Sequence, residues 1–322
     1  MIRILAVVFA ITMTAQAAVK IERTVYGGWP NCYRITNGSV ELIVTTDVGP
    51  RVIRYGFVGG RNMFAEFKDQ LGKSGEKTWV ARGGHRVWIA PEDIRLTYAL
   101  DNSAVKAEVK GETLMVTGNV EPETGLQKQM VVRLAATGTN VEVHHRITNV
   151  KARTGFDFAP WVLTMMAQGG HGITGFPPRG THPETLAPTN PLVMWAFTDL
   201  SDPRWKFTKK YMILRQDPRN TGQPQKLGHF NSNTWGAYLL GTDLFLKRCK
   251  GEPGKRYPDM GASFETFTNA DFLELETLGP LATPKAGTTV EHVESWSLHR
   301  NVKVPAWTDA ELDRAIGVLI GR

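Results

Sequence analysis

The sequence predicts an all-β protein, a large antiparallel β-sandwich that ends in a short helix. Apolar and polar residues alternate with a period of two in many short runs, as in strands with one buried face. Such alternation is clear at residues 39–45, 128–134, 139–150, 243–248 and 290–298. Turn signals such as Asn37-Gly38 and Thr137-Gly138 separate the runs. Many short strands with close turns and few helical stretches are typical of a sandwich.

Residues 1–17 have the features of a cleaved signal peptide. Arg3 supplies a positive charge, residues 4–15 form an apolar run, and Ala15-Gln16-Ala17 is a small-x-small cleavage pattern. The run is shorter than the roughly 20 apolar residues that span a bilayer. We therefore expect a periplasmic or secreted protein with no stable membrane insertion after cleavage. Residues 18–303 would form one sandwich domain, followed by a helical tail at residues 304–322.

The charge of the chain does not point to nucleic acid. Lysine and arginine number 38 against 31 acidic residues, a formal net charge of +7. The densest basic clusters are only pairs, namely Lys209-Lys210, Lys247-Arg248 and Lys255-Arg256. Because no basic stripe with regular aromatic spacing is present, the sequence predicts a solvated basic surface and no nucleic-acid partner.

Two segments depart from the strand rhythm. Residues 168–190 are rich in Gly, Pro, His and Thr and predict a long loop, either functional or poorly ordered. Thr308 and Glu311 form a capping box that opens a helix running to about Ile320. Cys32 and Cys249 are the only cysteines; they could pair in an oxidising compartment or remain two separate buried thiols.

Residues 262–278 predict a β-hairpin with a turn at residues 269–271. If Thr268 faces the last residue of this turn, Glu265 faces Glu274, and Glu276 lies two residues further along the same face. Three carboxylates would then share one surface, where each alters the proton affinity of the others, as in a tuned general acid or base. A solvated outer face is the alternative interpretation.

Two further segments have residues suited to polyol recognition. In residues 81–92, a pair of glycines lies among donors, a titratable group and an aromatic ring. These side chains are Arg82, His85, Arg86, Trp88 and Glu92. In residues 229–235, Asn231, Asn233 and Trp235 alternate on one face. A packed glycine turn and strand-end packing are the respective structural alternatives.

The sequence predicts no metal site and no cofactor. Histidines and cysteines lack transition-metal spacing, and neither a phosphate loop nor a Gly-x-Ser-x-Gly elbow is present. Calcium could bridge the three glutamates because it prefers oxygen ligands, but no Asp- or Asn-rich loop accompanies them. His145 lies on an apolar face with Val143 and Ile147 and is predicted to be a core residue. His171 and His182 lie on the predicted loop.

Several motifs resemble the galactose mutarotase-like superfamily. Leu275-Glu276-Thr277, followed by Pro280 and residues 284–287, is similar to a mutarotase stretch whose Glu is the catalytic base. Arg82-Gly83-Gly84 with Trp88 is similar to a segment of hexose phosphate epimerases whose Arg contacts substrate. The combination of residues 83–92, 257–261 and 274–276 most resembles a bacterial domain family of this superfamily that brings no established reaction with it.

The resemblance implies a β-sandwich fold and a carbohydrate ligand. Mutarotases also use a mid-chain His as general acid, but residues 158–164 contain none; His171 or His85 could take its place. The predicted catalytic residues are Glu276, Glu265 and His85. The predicted substrate-binding residues are Arg82, Arg86, Trp88, Glu92, Asn231, Asn233, Trp235, Glu274 and His171.

The expected function is binding of a carbohydrate by an exported protein, with epimerase-like isomerisation at a sugar's anomeric carbon as the first candidate reaction. The alternatives are a glycan lyase or hydrolase, a non-catalytic periplasmic glycan-binding module, and a structural domain that has kept the fold and lost the pocket.

Overall fold

Two ten-stranded antiparallel sheets form the body of the protein, and an α-helix follows them near the C-terminus. The computed structural model describes residues 18–151 and 157–321. The predicted all-β sandwich with a short C-terminal helix is confirmed. The predicted signal peptide lies outside the described residues.

The strands are numbered along the chain, and their spatial order within each sheet differs from this chain order. In space, the first sheet runs through β1 (Lys20–Tyr26), β2 (Trp29–Thr36), β3 (Val40–Thr45), β4 (Arg51–Phe57), β5 (His85–Ala90), β10 (Ala159–Met166), β19 (Leu273–Leu278), β18 (Phe264–Thr268), β15 (Gln225–His229) and β12 (Leu192–Met194). The second sheet runs through β13 (Trp205–Phe207), β14 (Tyr211–Arg215), β11 (His171–Gly175), β16 (Asn233–Leu240), β17 (Asp243–Lys250), β20 (Thr289–His299), β9 (Val141–Asn149), β8 (Leu126–Leu134), β7 (Thr113–Val120) and β6 (Lys106–Lys110).

The main hydrophobic core fills the space between the sheets. It includes Val44, Val162 and Leu275 from the first sheet, and Val132 and Val143 from the second. In β8 and β9 the buried positions alternate with more exposed ones, as the sequence pattern predicts for strands with one solvated face. By contrast, β5, β10 and β19 are buried along their whole length. The outer face of the first sheet is therefore covered at these three strands as well.

The helix α1 (Asp309–Ile320) packs on the outer face of the second sheet. As the capping box predicts, the Thr308 side chain accepts a hydrogen bond from the backbone N–H of Glu311, and Gly321 ends the helix in a left-handed conformation. Leu312 and Ile316 belong to an apolar cluster that also contains residues of β11, β14 and β17. The described part of the chain holds no helix long and apolar enough to cross a membrane.

The irregular mid-chain segment is shorter than the sequence predicted. β11 lies within the predicted loop at residues 168–190 and pairs with both β14 and β16. Its two glycines leave Ile173 as the one large apolar side chain, so the strand pattern was too weak to recognise. The segment without strand or helix is residues 176–191.

The two cysteines are separate buried thiols. Cys32 lies on β2 in the first sheet, Cys249 lies on β17 in the second, and neither is in a disulfide. The alternative of a Cys32–Cys249 pair is therefore not realised.

Candidate functional site

The outer face of the first sheet carries a row of charged and aromatic side chains. The inward-facing Val87, Val162 and Leu275 belong to the main core, so their neighbours along each strand point outward. The outward residues of the central strands include Arg86, Trp88, Trp161, Met165, Glu274, Glu276, Glu265 and Lys226. The rings of Trp79 and Trp195, from connecting segments, lie over Arg86 and Lys226 and cover part of this face.

The three glutamates share this face, although the predicted hairpin register is wrong. β18 and β19 pair Glu265 directly with Glu276, and Glu274 lies two residues further along β19. The turn has four residues rather than two, because the Asn269 side chain accepts hydrogen bonds from two backbone N–H groups within it. A shift of two residues leaves every side chain on its original face, so the shared surface survives the error.

Lys226 lies between the two opposed glutamates. Its Nζ is 2.8 Å from Glu265 Oε2 and 2.9 Å from Glu276 Oε2, and it lies 4.6 Å from the ring centres of both Trp161 and Trp195. Although burial alone would lower the pKa of Lys226, the two carboxylates outweigh it and raise this pKa well above its ordinary value. Lys226 therefore stays charged and offsets the repulsion between the paired glutamates.

Glu276 is held through one oxygen and presents the other. Its Oε2 accepts hydrogen bonds from Trp161 Nε1 at 2.7 Å and from Lys226 Nζ at 2.9 Å. Its Oε1 is buried and has no hydrogen-bond partner among the described residues. A fixed carboxylate with one open acceptor oxygen can bind a ligand hydroxyl or take its proton.

Glu274 lies beside the Arg86 guanidinium, with 3.7 Å between Arg86 Nη2 and Glu274 Oε1. Burial, and secondarily the charge of Glu276, raise the pKa of Glu274 to about 7. Burial lowers the pKa of Arg86 to about 10. Arg86 also stacks on two indole rings, with its Cζ 4.2 Å from the ring centre of Trp88 and 5.0 Å from that of Trp79. Glu274 can therefore hold or release a proton near neutral pH.

Aromatic side chains pack together next to these charged residues. The ring centre of Trp88 lies 5.2 Å from that of Trp79, 4.8 Å from that of Tyr98 and 5.5 Å from that of Trp161. The exposed Glu92 accepts a hydrogen bond from the Tyr98 hydroxyl at 2.5 Å. Rings of this kind offer apolar faces to the C–H groups of a ligand, while the glutamates offer acceptors to its hydroxyls.

Sequence reasoning missed five members of the site, Lys226, Trp161, Trp79, Trp195 and Tyr98. Trp161 had a detectable signal, since it alternates with inward residues in a strand. The other four had none. Their positions depend on the pairing of β15 with β18 and on the path of connecting segments, and local periodicity does not encode either.

His85 does not lie with the glutamates, which corrects its predicted catalytic role. It is the neighbour of Arg86 on β5, so its side chain points to the opposite face, into the space between the sheets. Its Nε2 is 2.7 Å from His145 Nε2, and its Nδ1 is 2.8 Å from Thr164 Oγ1. The prediction that His145 is a hydrogen-bonded core residue is confirmed.

His85 belongs to a buried polar network centred on Glu294. Lys247 Nζ lies 2.7 Å from Glu294 Oε1, and Trp296 Nε1 donates a hydrogen bond to Glu294 Oε2 at 2.8 Å. His85, His145 and Glu294 offer ligand atoms within 4.8 Å of one another, the spacing of a possible metal site. Lys247 already neutralises the charge of Glu294. The hydrogen bonds and the ion pair among these residues are therefore sufficient to explain why they are buried together.

Arg82 is placed by a structural turn. Its side chain is fully buried and forms an ion pair with Glu76, and its backbone N–H donates to Gln70. The glycines that follow are required by packing, because a Cβ at Gly83 or Gly84 would lie 2.0 or 2.4 Å from a neighbouring backbone oxygen. These partners support the packed glycine turn, which was the alternative interpretation of this motif.

The remaining predicted residues lie away from the glutamates. His171 is on the second sheet, with its ring centre 4.4 Å from that of Trp307. Trp235 is buried in the apolar cluster under α1. The Asn231 side chain donates to a backbone carbonyl of β11 at 2.8 Å, and Asn233 is exposed at the start of β16. These contacts favour the alternative of strand-end packing for this motif.

Comparison with solved structures shows the fold. A galactose mutarotase-like protein from Lactobacillus casei matches with a TM-score of 0.53 and 11% identity over 84% of this chain and 100% of its own. A putative mutarotase from Salmonella typhimurium has a TM-score of 0.52 and 9% identity, covering 88% and 97% of the two chains. A galactose mutarotase related enzyme from Lactobacillus acidophilus has a TM-score of 0.51 and 8% identity, covering 84% and 98%.

These matches define the chain as a protein with the galactose mutarotase-like fold. No family model matches the sequence. No curated protein matches it either. The closer resemblance to one bacterial domain family therefore stays a prediction.

Proposed function

We propose that this protein is exported and binds a saccharide on the outer face of the first sheet, with Glu276 as the hydrogen-bond acceptor or catalytic base. The observation that carries the proposal is the buried Glu276 carboxylate. Trp161 and Lys226 hold one of its oxygens, and the other has no partner among the described residues. Buried polar atoms without partners are rare in proteins, and a catalytic role is one of the explanations for them.

The candidate reaction is epimerase-like isomerisation at the anomeric carbon. Glu276 takes the proton of the anomeric hydroxyl, the bond from C1 to the ring oxygen breaks, and the ring oxygen takes a proton from an acid. Closure on the other face of the aldehyde gives the opposite anomer, and both protons return. Glu274, with its pKa raised to about 7, is a carboxyl of this face that can supply the acid proton.

A sugar reaches Glu276 only after the cover of this face moves. Glu265 and Glu276 are completely buried, with the Lys226 ammonium against both carboxylates and Trp195 over the ammonium. Residues 176–191, which precede Trp195 and its strand β12, contain no strand or helix. We expect this segment and Trp195 to move when the ligand enters.

Glu276→Gln tests the proposal directly. Freshly dissolved single anomers of glucose, galactose and their uronic acids are followed by NMR with the wild type and the variant. Because the amide removes the base and keeps the shape, we expect the catalysed interconversion to fall by at least about a hundredfold. Glu112→Gln, at an exposed position in the turn between β6 and β7, is the matched control. Undiminished turnover in Glu276→Gln would overturn the role of Glu276.

A non-catalytic binding module is the second candidate. It is favoured by the position of His85, which points into the core, so that the described side chains around Glu276 do not include the histidine acid of a mutarotase. This candidate predicts saturable saccharide binding that leaves the anomer ratio and the chain length of the sugar unchanged. The same NMR series separates the two candidates.

Export is tested separately by expressing the full chain in a bacterium and locating it by fractionation. We expect the mature protein in the periplasm or the medium, with Ala18 as its first residue. Retention of the uncleaved chain in the cytoplasm would contradict this part of the proposal.

A further inference from the structure

Arg86 differs from the other buried arginines among the described residues in its partners. Arg51 lies 2.5 Å from Asp101, Arg204 lies 2.8 Å from Asp202, and Arg82 contacts Glu76 within hydrogen-bond distance. The Arg86 residue is only 2% exposed, yet its nearest carboxylate oxygen, on Glu274, is 3.7 Å away. The Arg86 charge is therefore buried without a close oxygen acceptor.

The individual donors of Arg86 show the same deficit. Nη1 points at the sulfur of Met165 at 3.4 Å, and Nε is buried with no hydrogen-bond partner among the described residues. Arg51, Arg82 and Arg204 each have a buried nitrogen without a partner as well, so the missing close carboxylate is what distinguishes Arg86. A buried guanidinium is costly to a protein unless oxygen acceptors satisfy its donors. The two indole rings on which Arg86 stacks offset part of this cost but accept no conventional hydrogen bond.

A second unpartnered donor lies next to Arg86. The indole Nε1 of Trp79 is buried and has no acceptor among the described residues, and the Trp79 ring centre is 5.0 Å from Arg86 Cζ. Trp79 comes from a connecting segment and Arg86 from β5, so the two observations are independent. The unpartnered donors of Arg86 and Trp79 therefore call for a ligand with an acceptor group.

A cleft gives a ligand access to Arg86. It has a volume of about 410 Å³, and its lining includes Arg86, Trp88 and Tyr98 on one side and residues 118–123 and Lys128 of the β7–β8 region on the other. Glu274 and Glu276 do not line it, so the cleft reaches Arg86 from the side away from the glutamates. The charge of Lys128 is already neutralised by Glu121 at 2.6 Å. Arg86 is thus the buried cation of this cleft whose charge has no close partner.

We propose that Arg86 receives the carboxylate of an anionic saccharide, a uronic acid unit whose ring packs on Trp88 and Tyr98. This inference rests on the proposed function and names the substrate class of the same site. The planar fork of a guanidinium matches a carboxylate or a phosphate in two hydrogen bonds. The carboxylate is favoured over a phosphate, because a monoanion costs less to bury than a dianion whichever protonation state Glu274 has.

The test compares each acid with its own ester, so that the answer does not depend on a variant. Calorimetry measures the Kd of glucuronate and galacturonate, of their methyl esters, and of glucose and galactose with the wild-type protein. We expect the acids to bind about tenfold more tightly than the esters, the gain typical of one charge-assisted hydrogen bond. Glucose 6-phosphate and galactose 6-phosphate form a further arm, and we expect both to bind more weakly than the uronates.

Arg86→Gln should bring acid and ester to similar affinities, with Arg133→Gln, at an exposed position on the second sheet, as the charge-matched control. Arg86→Lys is the second variant, used if the glutamine variant does not fold. It keeps the charge but lacks the planar fork, so it should reduce the preference for the acid over the ester. Equal affinities of acids and esters in the wild type would overturn this inference and leave saccharide binding intact. Tighter binding of the sugar phosphates would overturn the uronate assignment. If no saccharide bound, the proposed function itself would fail.

Discussion

At the residue scale, Lys226 connects the stability of the first sheet with its chemistry. Glu265 and Glu276 are directly paired across two strands and completely buried. Two like charges in this position are destabilising unless a cation lies between them. Lys226 supplies that cation, and its removal would leave both carboxylates buried and unpaired.

Lys226→Met should therefore lower the free energy of unfolding by about 3 kcal/mol or more. Urea denaturation monitored by circular dichroism measures the change, and Lys255→Met, at an exposed lysine, is the control with an expected effect within about 0.5 kcal/mol. Adding Glu265→Gln to Lys226→Met should recover part of the loss, because one of the unpaired charges is removed. A Lys226→Met variant as stable as the wild type would show that the two glutamates do not need this cation.

Buried neutral histidines make stability depend on pH. Burial lowers the pKa of His145 to about 3, and the pKa of His229 and of His292 to about 4. In the unfolded chain they titrate near 6.5, so the unfolded state binds more protons below that pH. Their stabilising contribution is complete above about 6.5 and is lost as the pH falls toward 4.

The buried glutamates act in the opposite direction. Burial raises the pKa of Glu274 to about 7 and that of Glu265 well above its usual value, so protonation of these carboxyls stabilises the folded state as the pH falls. Because the lowered histidines outnumber them, we expect a net fall of about 1–3 kcal/mol per pH unit between pH 6.5 and 5. Urea denaturation across this range measures the slope, and Glu274→Gln should steepen it. A stability that rose toward pH 5 would contradict the assignment of neutral histidines.

At the element scale, the capping of α1 is predictable from sequence and open to a clean test. The Thr308 side chain accepts the hydrogen bond of the Glu311 backbone N–H, and Thr308→Ala should lower the free energy of unfolding by about 1 kcal/mol. Val318→Ala, at a position that is 89% exposed on the same helix, should change it by less than about 0.5 kcal/mol. Equal effects of the two substitutions in urea denaturation would contradict the capping assignment.

The hairpin of β18 and β19 shows how far local sequence reasoning reaches. Alternation predicted both strands and the shared face of the glutamates, because side-chain direction follows from a period of two. The register needed the four-residue turn stabilised by the Asn269 side chain, which the turn signal alone did not distinguish from a two-residue turn. Lys226 could not be foreseen, because its place opposite this hairpin comes from the non-local pairing of β15 with β18.

The glycine pair of the second predicted segment and the alternation of the third illustrate the opposite error. Gly83 and Gly84 lie among side chains that predict a binding segment, whereas a Cβ at either glycine would collide with the protein's own backbone. The alternation of Asn231, Asn233 and Trp235 predicts a ligand-binding face, but Trp235 packs under α1. Residue type alone does not distinguish hydrogen bonds to a sugar from hydrogen bonds to a neighbouring strand.

At the scale of the whole molecule, the two sheets have different surroundings. In the second sheet, α1 covers the outer face of β11, β14 and β17 and leaves β8 and β9 with one partly solvated face, whereas the central strands of the first sheet are buried on both faces without a helix. Its outer face is covered by connecting segments that carry tryptophans and enclose glutamates, a lysine and an arginine. A structural domain would gain more stability from apolar side chains at these positions than from buried charges, so this arrangement favours a ligand-binding role.

The most direct test of this account is a thermal-shift measurement of the wild-type protein and of Glu276→Gln against neutral and acidic saccharides. A saccharide at about 100 times its Kd should stabilise the native state by about 2.7 kcal/mol, which corresponds to a rise in Tm of roughly 5 °C for a protein of this size. We predict such a rise for particular saccharides with the wild type and a much smaller one with Glu276→Gln. The absence of any saccharide-dependent shift in the wild type across the whole panel would contradict the proposal that the covered face of the first sheet is a carbohydrate site.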